Sequence, residues 1–358
     1  MPSPWRPVLD RIVPYEAGKS LEALEQELGI AGLVRLSANE SPLGPSPRAV
    51  EAIRREAPRA HLYPDGDSLA LRQALAKRLG VGAEQVLAAN GADELLLLIA
   101  TAAFDAGDEV VITRPAFEPY TTVTILAGAA VSESPLAGYE TDLDDMIRRV
   151  TPRTKALIVC SPHNPATTIV RQAPLSALLD GLGADGPLVV LDEAYRDFCD
   201  DPDAADGVAL LPLYPRLLVL RTFSKIAGLA GLRVGYAIGT AETIDRLNRV
   251  RAPYNVNRLG QVAAVAALED EEHLARTRQV VLEERAFLSA ELTRRGYRFP
   301  ASQANFLLVK VGDPDAARSR LLRAGLIARD GAGIGFPGHL RIAIATHDVN
   351  LRLLAVLR

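Results

Sequence analysis

The chain has 358 residues, of which 48% are hydrophobic, and a formal net charge of −4 at pH 7. A chain of this length and composition buries a large core and is expected to form two domains. The slightly acidic charge and the lack of a basic run argue against nucleic acid as the main partner. No apolar run reaches the length of a membrane span, and polar, proline-rich sequence follows Met1, so we expect a cytoplasmic protein. Cys160 and Cys199 are the only cysteines and predict no disulfide framework.

Apolar runs of strand length alternate with amphipathic stretches of helix length through much of the chain. The runs EVVIT, ALIVC, LVVLD and LLVLRT predict strands over 109–113, 156–160, 188–192 and 217–222, and SLALRQALAKRL predicts a helix over 68–79. This alternation is typical of an α/β protein with a mostly parallel central sheet flanked by helices.

The C-terminal part has a different pattern, which predicts a smaller α+β domain. A long helical region over 257–295 leads into it. We expect an N-terminal arm and part of the small domain over 1–40, a large domain over 41–255, and the small C-terminal domain over 256–358. No internal repeat or low-complexity linker interrupts this organisation.

Polar side chains follow two of the predicted strands. Asp192 ends the run LVVLD, and Asn164 lies in SPHNP, directly after ALIVC. Ligands of open α/β sheets bind at the carboxyl ends of the strands. A carboxylate there can pair with a protonated ring nitrogen, while Asn164 and the phenol of Tyr195 can donate to a ring oxygen. The alternative for Asp192 is an ordinary acidic turn after a strand.

The segment NGADELLLLIATAAF (90–104) begins as a glycine-containing turn and continues as an apolar helix. The backbone N–H groups around Ala92 and Asp93 then lie at a helix N-terminus, where anions bind. Asp93 is equally typical of a simple helix cap.

Lys225 is the most informative residue, in the run RTFSKIAGLAGLRVGY (221–236). A deprotonated lysine amine forms a Schiff base with a carbonyl, which is how a pyridoxal cofactor is attached to a protein. Ser224 supplies a neighbouring hydroxyl, and the planar guanidinium of Arg233 suits a phosphate. The alternative is an ordinary surface lysine in a loop rich in serine and glycine.

Taken together, these residues resemble the fold-type-I pyridoxal-phosphate enzymes, most closely the histidinol-phosphate aminotransferases and their aromatic-aminotransferase relatives. The resemblance covers nearly the whole chain. It rests on eleven motifs in order: LSANESPLGPS (36–46), YPDG (63–66), NGADE (90–94), RPAFEPY (114–120), SPHNP (161–165), DEAY (192–195), SK (224–225), APYNVN (252–257), ANFLLVKV (304–311), GLIARDG (325–331) and LRIAIAT (340–346).

The resemblance implies roles around a pyridoxal 5'-phosphate ring. Lys225 would attach the cofactor and act as acid and base in proton transfer. Asp192 would pair with the ring nitrogen, Tyr195 and Asn164 would hold the ring oxygen, and Phe117 would stack on the ring face. No metal is implied.

The resemblance also implies how the cofactor phosphate is held. Ala92, Asp93, Ser224 and Arg233 would bind it, and Tyr63 would reach the site of the other subunit in a homodimer. The expected partners are therefore a small-molecule amino donor, a 2-oxo acid and a second copy of the chain.

Substrate recognition is implied for the C-terminal part. Arg341 matches the arginine that binds the substrate carboxylate in the wider superfamily, a task that suits a bidentate guanidinium. Arg329 is a candidate second cation for a phosphate ester. Tyr15 and Tyr254 match positions that add hydroxyl groups, and Asn257 is a candidate to orient nearby groups. The alternative for each arginine is a solvated surface charge.

The chain departs from the resemblance after Asn164, where Pro165-Ala166-Thr167 replaces the common Pro-Thr-Gly. Loss of the glycine removes a residue that tolerates positive φ, so we expect a differently shaped turn. His163 adds a titratable group there, which we interpret as structural rather than catalytic.

The function implied is transamination between histidinol phosphate and 2-oxoglutarate, which yields imidazole acetol phosphate and glutamate in histidine biosynthesis. An aromatic amino acid aminotransferase is the nearest alternative, because the same scaffold and arginine serve both. A decarboxylase or lyase is a more distant alternative, motivated only by the altered turn. A binding or regulatory module that retains the fold is the non-enzymatic alternative.

Overall fold

The computed structural model describes residues 3–14 and 19–357 as an α/β protein. Its helices are α1 Leu21–Leu28, α2 Pro47–Glu56, α3 Leu69–Leu79, α4 Ala92–Ala103, α5 Glu118–Ala127, α6 Leu143–Arg148, α7 Gln172–Leu182, α8 Gly207–Leu210, α9 Ala241–Asn248, α10 Arg258–Glu269, α11 Glu271–Arg294, α12 Pro314–Arg323 and α13 His347–Val356. Its strands are β1 Val34–Arg35, β2 Val86–Ala89, β3 Glu109–Arg114, β4 Ala130–Pro135, β5 Thr154–Cys160, β6 Leu188–Asp192, β7 Leu217–Thr222, β8 Gly235–Ile238, β9 Phe306–Lys310, β10 Leu326–Ile327, β11 Arg329–Asp330 and β12 His339–Ala343.

The main sheet has seven strands in the order β2-β8-β7-β6-β5-β3-β4. Strand β8 is antiparallel to both neighbours, and the remaining neighbours are parallel. The strands are buried on both faces, which explains their continuous apolar runs. The mostly parallel sheet and the fold class predicted from the sequence are confirmed.

Two shorter sheets lie outside the main one. Strands β11-β12-β9 form an antiparallel sheet, and β1 pairs in parallel with β10. Side chains of these strands and of α11, α12 and α13 share a second core, which includes Val281, Leu307, Leu321, Leu340 and Leu353. Thus β1, near the N-terminus, packs with C-terminal elements.

The predicted helical region over 257–295 is two helices, α10 and α11, that meet at Asp270. The backbone of Asp270 leaves the helical region, and its carboxylate accepts a hydrogen bond from His273 N at 3.3 Å. Such a cap starts a new helix. Helix α10 packs on α2 and α3 under the main sheet, whereas α11 contributes to the second core. The limits 40/41 and 255/256 of the domains stay a prediction.

Among the residues that the structure describes, no helix is both long enough and apolar enough to cross a bilayer. Cys160 and Cys199 are both buried and unbonded to each other, as the sequence predicts.

Candidate active site

The candidate site lies where the central strands of the main sheet end. Cys160 and Asp192, the last residues of β5 and β6, are register partners. The loops that follow carry Asn164 and Tyr195, and the loop after β7 carries Lys225. Parallel strands therefore place side chains from distant parts of the sequence at one edge of the sheet.

Lys225 is a partly buried amine at this edge. Its Nζ donates to Ala38 O at 3.0 Å and lies 5.6 Å from the centroid of the Tyr195 ring. Burial lowers the pKa of Lys225 to about 8, and the nearby guanidinium of Arg341 acts in the same direction. The neutral, nucleophilic amine is therefore much more abundant near neutral pH than for an exposed lysine.

Asp192 is a buried carboxylate held by two donors. Tyr120 donates its hydroxyl to Oδ2 at 2.5 Å, and Ala194 N donates to Oδ1 at 3.0 Å. Burial raises the pKa of Asp192, and both hydrogen bonds oppose that rise. The Tyr120 ring meets Phe117 edge to face, with centroids 5.6 Å apart.

Tyr120 was not identified from the sequence. It lies in the first turn of α5, three residues after Phe117, which precedes the helix in an extended conformation. The sequence RPAFEPY gives no signal for its role, which comes from the hydrogen bond to Asp192, 72 positions away.

The neighbouring Glu193 has a structural part instead. Arg221 Nε donates to its Oε2 at 2.8 Å, and Gly207 N, at the start of α8, donates to its Oε1 at 2.8 Å. The Glu193 side chain is fully buried, so its charge is satisfied inside the protein rather than presented to a ligand.

A cradle for an anion lies at the N-terminus of α4. Arg233 Nη1 donates to Ser224 Oγ at 3.4 Å, and Arg233 Nη2 donates to Asp93 Oδ2 at 2.9 Å. Gly91 caps the helix with φ 85°, and a Cβ there would lie 2.7 Å from Arg233 Nη2. Gly91 therefore lets the Arg233 guanidinium lie against the N-terminus of α4, where the first turn, which begins at Ala92, presents backbone N–H groups to an anion.

Tyr195 and Asn164 both lie in a buried network. The hydroxyl of Tyr195 accepts from Asn39 Nδ2 at 3.1 Å, and burial raises the pKa of Tyr195 to about 12. Asn164 Oδ1 accepts from Arg341 Nη1 at 2.7 Å, which leaves its amide N–H groups for another acceptor.

Arg341 and Arg329 face each other across two strands. They are register partners on the antiparallel pair β11–β12, so their side chains leave the sheet on the same face. Arg341 Nη2 also donates to Ser37 O at 2.6 Å. Like charges directly opposite on a sheet are destabilising, so this arrangement favours an anion between them.

Tyr63 and Tyr254 lie outside this buried cluster. Their rings stack with centroids 4.7 Å apart, and the residues are 77% and 48% exposed. Asn257 caps α10 by accepting from Gly260 N at 2.6 Å, and it donates to Leu232 O at 2.8 Å, beside Arg233. Tyr15 lies outside the described residues.

The turn after Asn164 keeps a left-handed residue although its glycine is absent. Thr167 has φ 70°, which a β-branched residue rarely adopts. His163 is buried, which lowers its pKa to about 4. Its Nδ1 accepts from Ala166 N at 3.1 Å, and its Nε2 lies 3.1 Å from Thr113 Oγ1. The neutral His163 side chain therefore stabilises the turn through these two contacts.

The chain matches the sequence pattern of the family described as Aminotransferase class I and II over residues 31–356. It is 42% identical to a histidinol-phosphate aminotransferase from Anaeromyxobacter sp., over 98% of this chain and 97% of the relative. It is 41% identical to the enzyme of that name from Moorella thermoacetica, over 97% of this chain and 90% of the relative. The chain belongs to the class I and II aminotransferases and, within them, to the family of the histidinol-phosphate aminotransferases.

Solved structures agree with this placement. Histidinol-phosphate aminotransferase from Sinorhizobium meliloti, in complex with pyridoxal 5'-phosphate, matches with a TM-score of 0.90 at 28% identity, over 99% of this chain and 96% of that one. Aspartate aminotransferase from Thermus thermophilus with maleate matches with a TM-score of 0.84 at 26% identity, over 99% and 98% of the two chains.

Pyridoxal 5'-phosphate is the cofactor of this enzyme class, and the described residues fit it. Close to Gly91, the Arg233 guanidinium, Ser224 and the N-terminus of α4 offer donors that suit a phosphate. A buried carboxylate, Asp192, lies at the strand edge, and an amine of lowered pKa, Lys225, lies in the same cluster. The protein is thus a pyridoxal-phosphate-dependent aminotransferase.

Proposed function

We propose that this aminotransferase moves the amino group of histidinol phosphate to 2-oxoglutarate, which yields imidazole acetol phosphate and glutamate. The facing pair Arg329 and Arg341 is the structural observation that carries the proposal. One substrate presents a phosphate ester and the other a carboxylate, and both need a cationic pocket. The full-length relatives named histidinol-phosphate aminotransferase support the same substrate.

We propose that Lys225 is the acid and base of the reaction. When bound, the cofactor withdraws electrons from the substrate carbon that bears the amino group. The neutral Lys225 amine removes the proton from that carbon, since its lowered pKa leaves a free lone pair near neutral pH. Asp192 would pair with the ring nitrogen, and the hydrogen bond from Tyr120 holds this carboxylate in place.

The remaining roles are part of the same proposal. Phe117 would stack on the ring, Tyr195 and Asn164 would donate to its oxygen, and the N-terminus of α4 with Ser224 and Arg233 would hold the phosphate. Tyr254, Asn257 and Tyr15 stay predicted substrate residues.

We also propose a homodimer in which Tyr63 completes the phosphate site of the other subunit. Its large exposure within one chain supports this, because aromatic side chains are enriched at interfaces. The cytoplasmic location stays a prediction.

The test is a half-reaction without any 2-oxo acid. The protein loaded with pyridoxal 5'-phosphate is mixed with histidinol phosphate or with phenylalanine, and the absorbance of the bound cofactor is followed by stopped flow. We expect histidinol phosphate to convert the cofactor to its amino form far faster than phenylalanine. The reverse order would identify an aromatic aminotransferase, and conversion by neither would reject both substrates.

A further inference from the structure

The segment Ser37–Asn39 runs along the candidate site and contacts it at every residue. The carbonyl of Ser37 accepts from Arg341 at 2.6 Å, and that of Ala38 accepts from Lys225 at 3.0 Å. The carbonyl of Asn39 accepts from Asn305 Nδ2 at 3.1 Å. The backbone around Asn39 is therefore held by three side chains, those of Lys225, Asn305 and Arg341.

The side chain of Asn39 points at a proposed cofactor contact. Asn39 is 1% exposed, and its Nδ2 donates to the hydroxyl of Tyr195 at 3.1 Å. No other partner of the Tyr195 hydroxyl is found among the described residues. An amide nitrogen has no lone pair to accept with, so the hydroxyl hydrogen of Tyr195 must point elsewhere.

The raised pKa of Tyr195 means that its hydroxyl keeps its proton near neutral pH. Burial raises the pKa of Tyr195 to about 12, so the phenol carries its proton near neutral pH. Lys225 Nζ lies 5.6 Å from the centroid of the Tyr195 ring and donates to Ala38 O instead of pairing with the hydroxyl. The hydroxyl therefore keeps a donor hydrogen that no described residue accepts.

We propose that Asn39 is a positioning residue, which orients the Tyr195 hydroxyl as a hydrogen-bond donor toward the ring oxygen of the cofactor. The proposal rests on the proposed contact between Tyr195 and that oxygen. It predicts that Asn39 contributes to cofactor binding only through this oxygen.

The backbone at Asn39 decides which substitutions give a clean test. Asn39 has φ 55°, a left-handed conformation that asparagine, aspartate and glycine tolerate. Asn39→Gly removes the donor and keeps the carbonyl that binds Asn305. Asn39→Asp keeps the shape but replaces the donor with an acceptor, which would take the hydroxyl hydrogen of Tyr195 for itself.

The experiment compares dissociation constants for pyridoxal 5'-phosphate and for 3-deoxypyridoxal phosphate, which lacks the ring oxygen. It uses the wild-type protein, Asn39→Gly, Asn39→Asp, Tyr195→Phe and the double variant Asn39→Gly/Tyr195→Phe. The preference for the natural cofactor is the dissociation constant of the deoxy analogue divided by that of pyridoxal 5'-phosphate. We expect Asn39→Gly to lower this ratio about 3- to 10-fold, and Asn39→Asp to lower it further. The affinity for the deoxy analogue should stay within about 2-fold of wild type, the scatter expected when no contact is lost.

The double variant completes a thermodynamic cycle. In the Tyr195→Phe background, Asn39→Gly should no longer change the preference, because the hydroxyl that it orients is gone. If Asn39→Gly weakens the binding of both cofactor forms equally, Asn39 has only a structural role and the proposal is overturned. So would an unchanged preference in both Asn39 variants. Because no substrate is used, these outcomes are independent of whether histidinol phosphate is the amino donor.

Discussion

Two features of its surroundings destabilise the charged form of Lys225. It lies at a partly buried position, and its ammonium is close enough to Arg341 and Arg233 to be destabilised by them. Both effects favour the neutral amine, which is the form that attacks a carbonyl and accepts a proton. The protein therefore gives up some stability near neutral pH for reactivity at this residue.

This cost predicts a pH dependence of the cofactor-free protein. The pKa of Lys225 is about 8 in the folded chain against 10.5 for an ordinary lysine. Between these values the unfolded chain holds more protons, so the contribution of Lys225 to the free energy of unfolding rises with pH. We expect the stability of wild type relative to Lys225→Met to increase from pH 8 to about 10 in urea unfolding.

The matched control is Lys77→Met, which removes an exposed lysine from α3. Its stability difference from wild type should show no comparable rise. A flat difference for Lys225→Met over the same range would mean that the amine is not destabilised in the folded protein.

The hydrogen bond from Tyr120 predicts a second effect at the residue scale. Tyr120→Phe removes a donor that opposes the raised pKa of the buried Asp192, so that pKa should rise further. If catalysis needs the Asp192 carboxylate, the acid limb of the kcat profile should move to higher pH, with kcat about 10-fold lower at neutral pH.

Tyr214→Phe is the control, because the Tyr214 hydroxyl donates to Asp180 at 2.8 Å at an exposed position. It should leave the profile unchanged. If the acid limb of the kcat profile of Tyr120→Phe coincides with that of wild type, Tyr120 does not stabilise the Asp192 carboxylate.

The sequence predicted residues whose chemistry is visible locally and missed those defined by a distant partner. Asp192 and Asn164 could be found because each follows an apolar run. Asn39 and Tyr120 are ordinary residues in sequence, and their importance comes from contacts with residues 156 and 72 positions away. No periodicity or propensity encodes such contacts.

At the scale of elements, the short pair β11–β12 concentrates positive charge. Cross-strand neighbours of like charge cost stability unless an anion separates them. Arg341 also donates hydrogen bonds to Asn164 and Ser37, whereas Arg329 holds no other site residue among those that the structure describes. Substitution of Arg329 should therefore affect substrate binding differently from substitution of Arg341.

Arg329→Ala is expected to raise KM for histidinol phosphate about 10-fold or more and KM for glutamate by less, because a phosphate dianion needs the second cation more. Initial rates with each amino donor measure the two constants. Arg318→Ala, on the exposed surface of α12, is the control and should change neither. Equal increases in KM for both amino donors would mean that Arg329 serves both substrates equally or only stabilises the structure.

The turn that carries Asn164 shows why local sequence can mislead at this scale. Loss of glycine predicted a different turn, yet Thr167 adopts the left-handed φ that glycine would allow. Contacts hold it there: Thr167 N donates to His163 O at 2.7 Å, and Gln303 N donates to Thr167 O at 3.0 Å. These hydrogen bonds, one local and one from the distant Gln303, outweigh the intrinsic preference of the residue.

At the scale of the molecule, the four strands predicted from apolar runs are β3, β5, β6 and β7 of the main sheet. Strand β2 was not predicted, since Val86–Ala89 contains two alanines, which have low strand propensity. The antiparallel direction of β8 could not be predicted, because it depends on pairing between β2 and β7 rather than on its own residues.

The proposed dimer predicts complementation between two inactive variants. If Tyr63 serves the site of the other subunit, a dimer of one Lys225→Ala chain and one Tyr63→Ala chain contains one site with both defects and one site with neither. Mixing the variants under conditions that exchange subunits should restore activity toward half that of wild type per mixed dimer, as measured by glutamate formation. Lys225→Ala mixed with Asp192→Ala is the control, since both residues come from the same chain and no intact site can form. Activity no higher than that control would place Tyr63 in the site of its own chain.

The most direct test of the account is turnover by Lys225→Ala loaded with pyridoxal 5'-phosphate. The measurement is glutamate formed from histidinol phosphate and 2-oxoglutarate over many enzyme equivalents. We predict that multiple turnover is lost, because no other described residue places an amine of lowered pKa at the candidate site. Cofactor should still bind through the cradle of Ser224 and Arg233. Sustained turnover by the variant would contradict the assignment of Lys225 and the mechanism built on it.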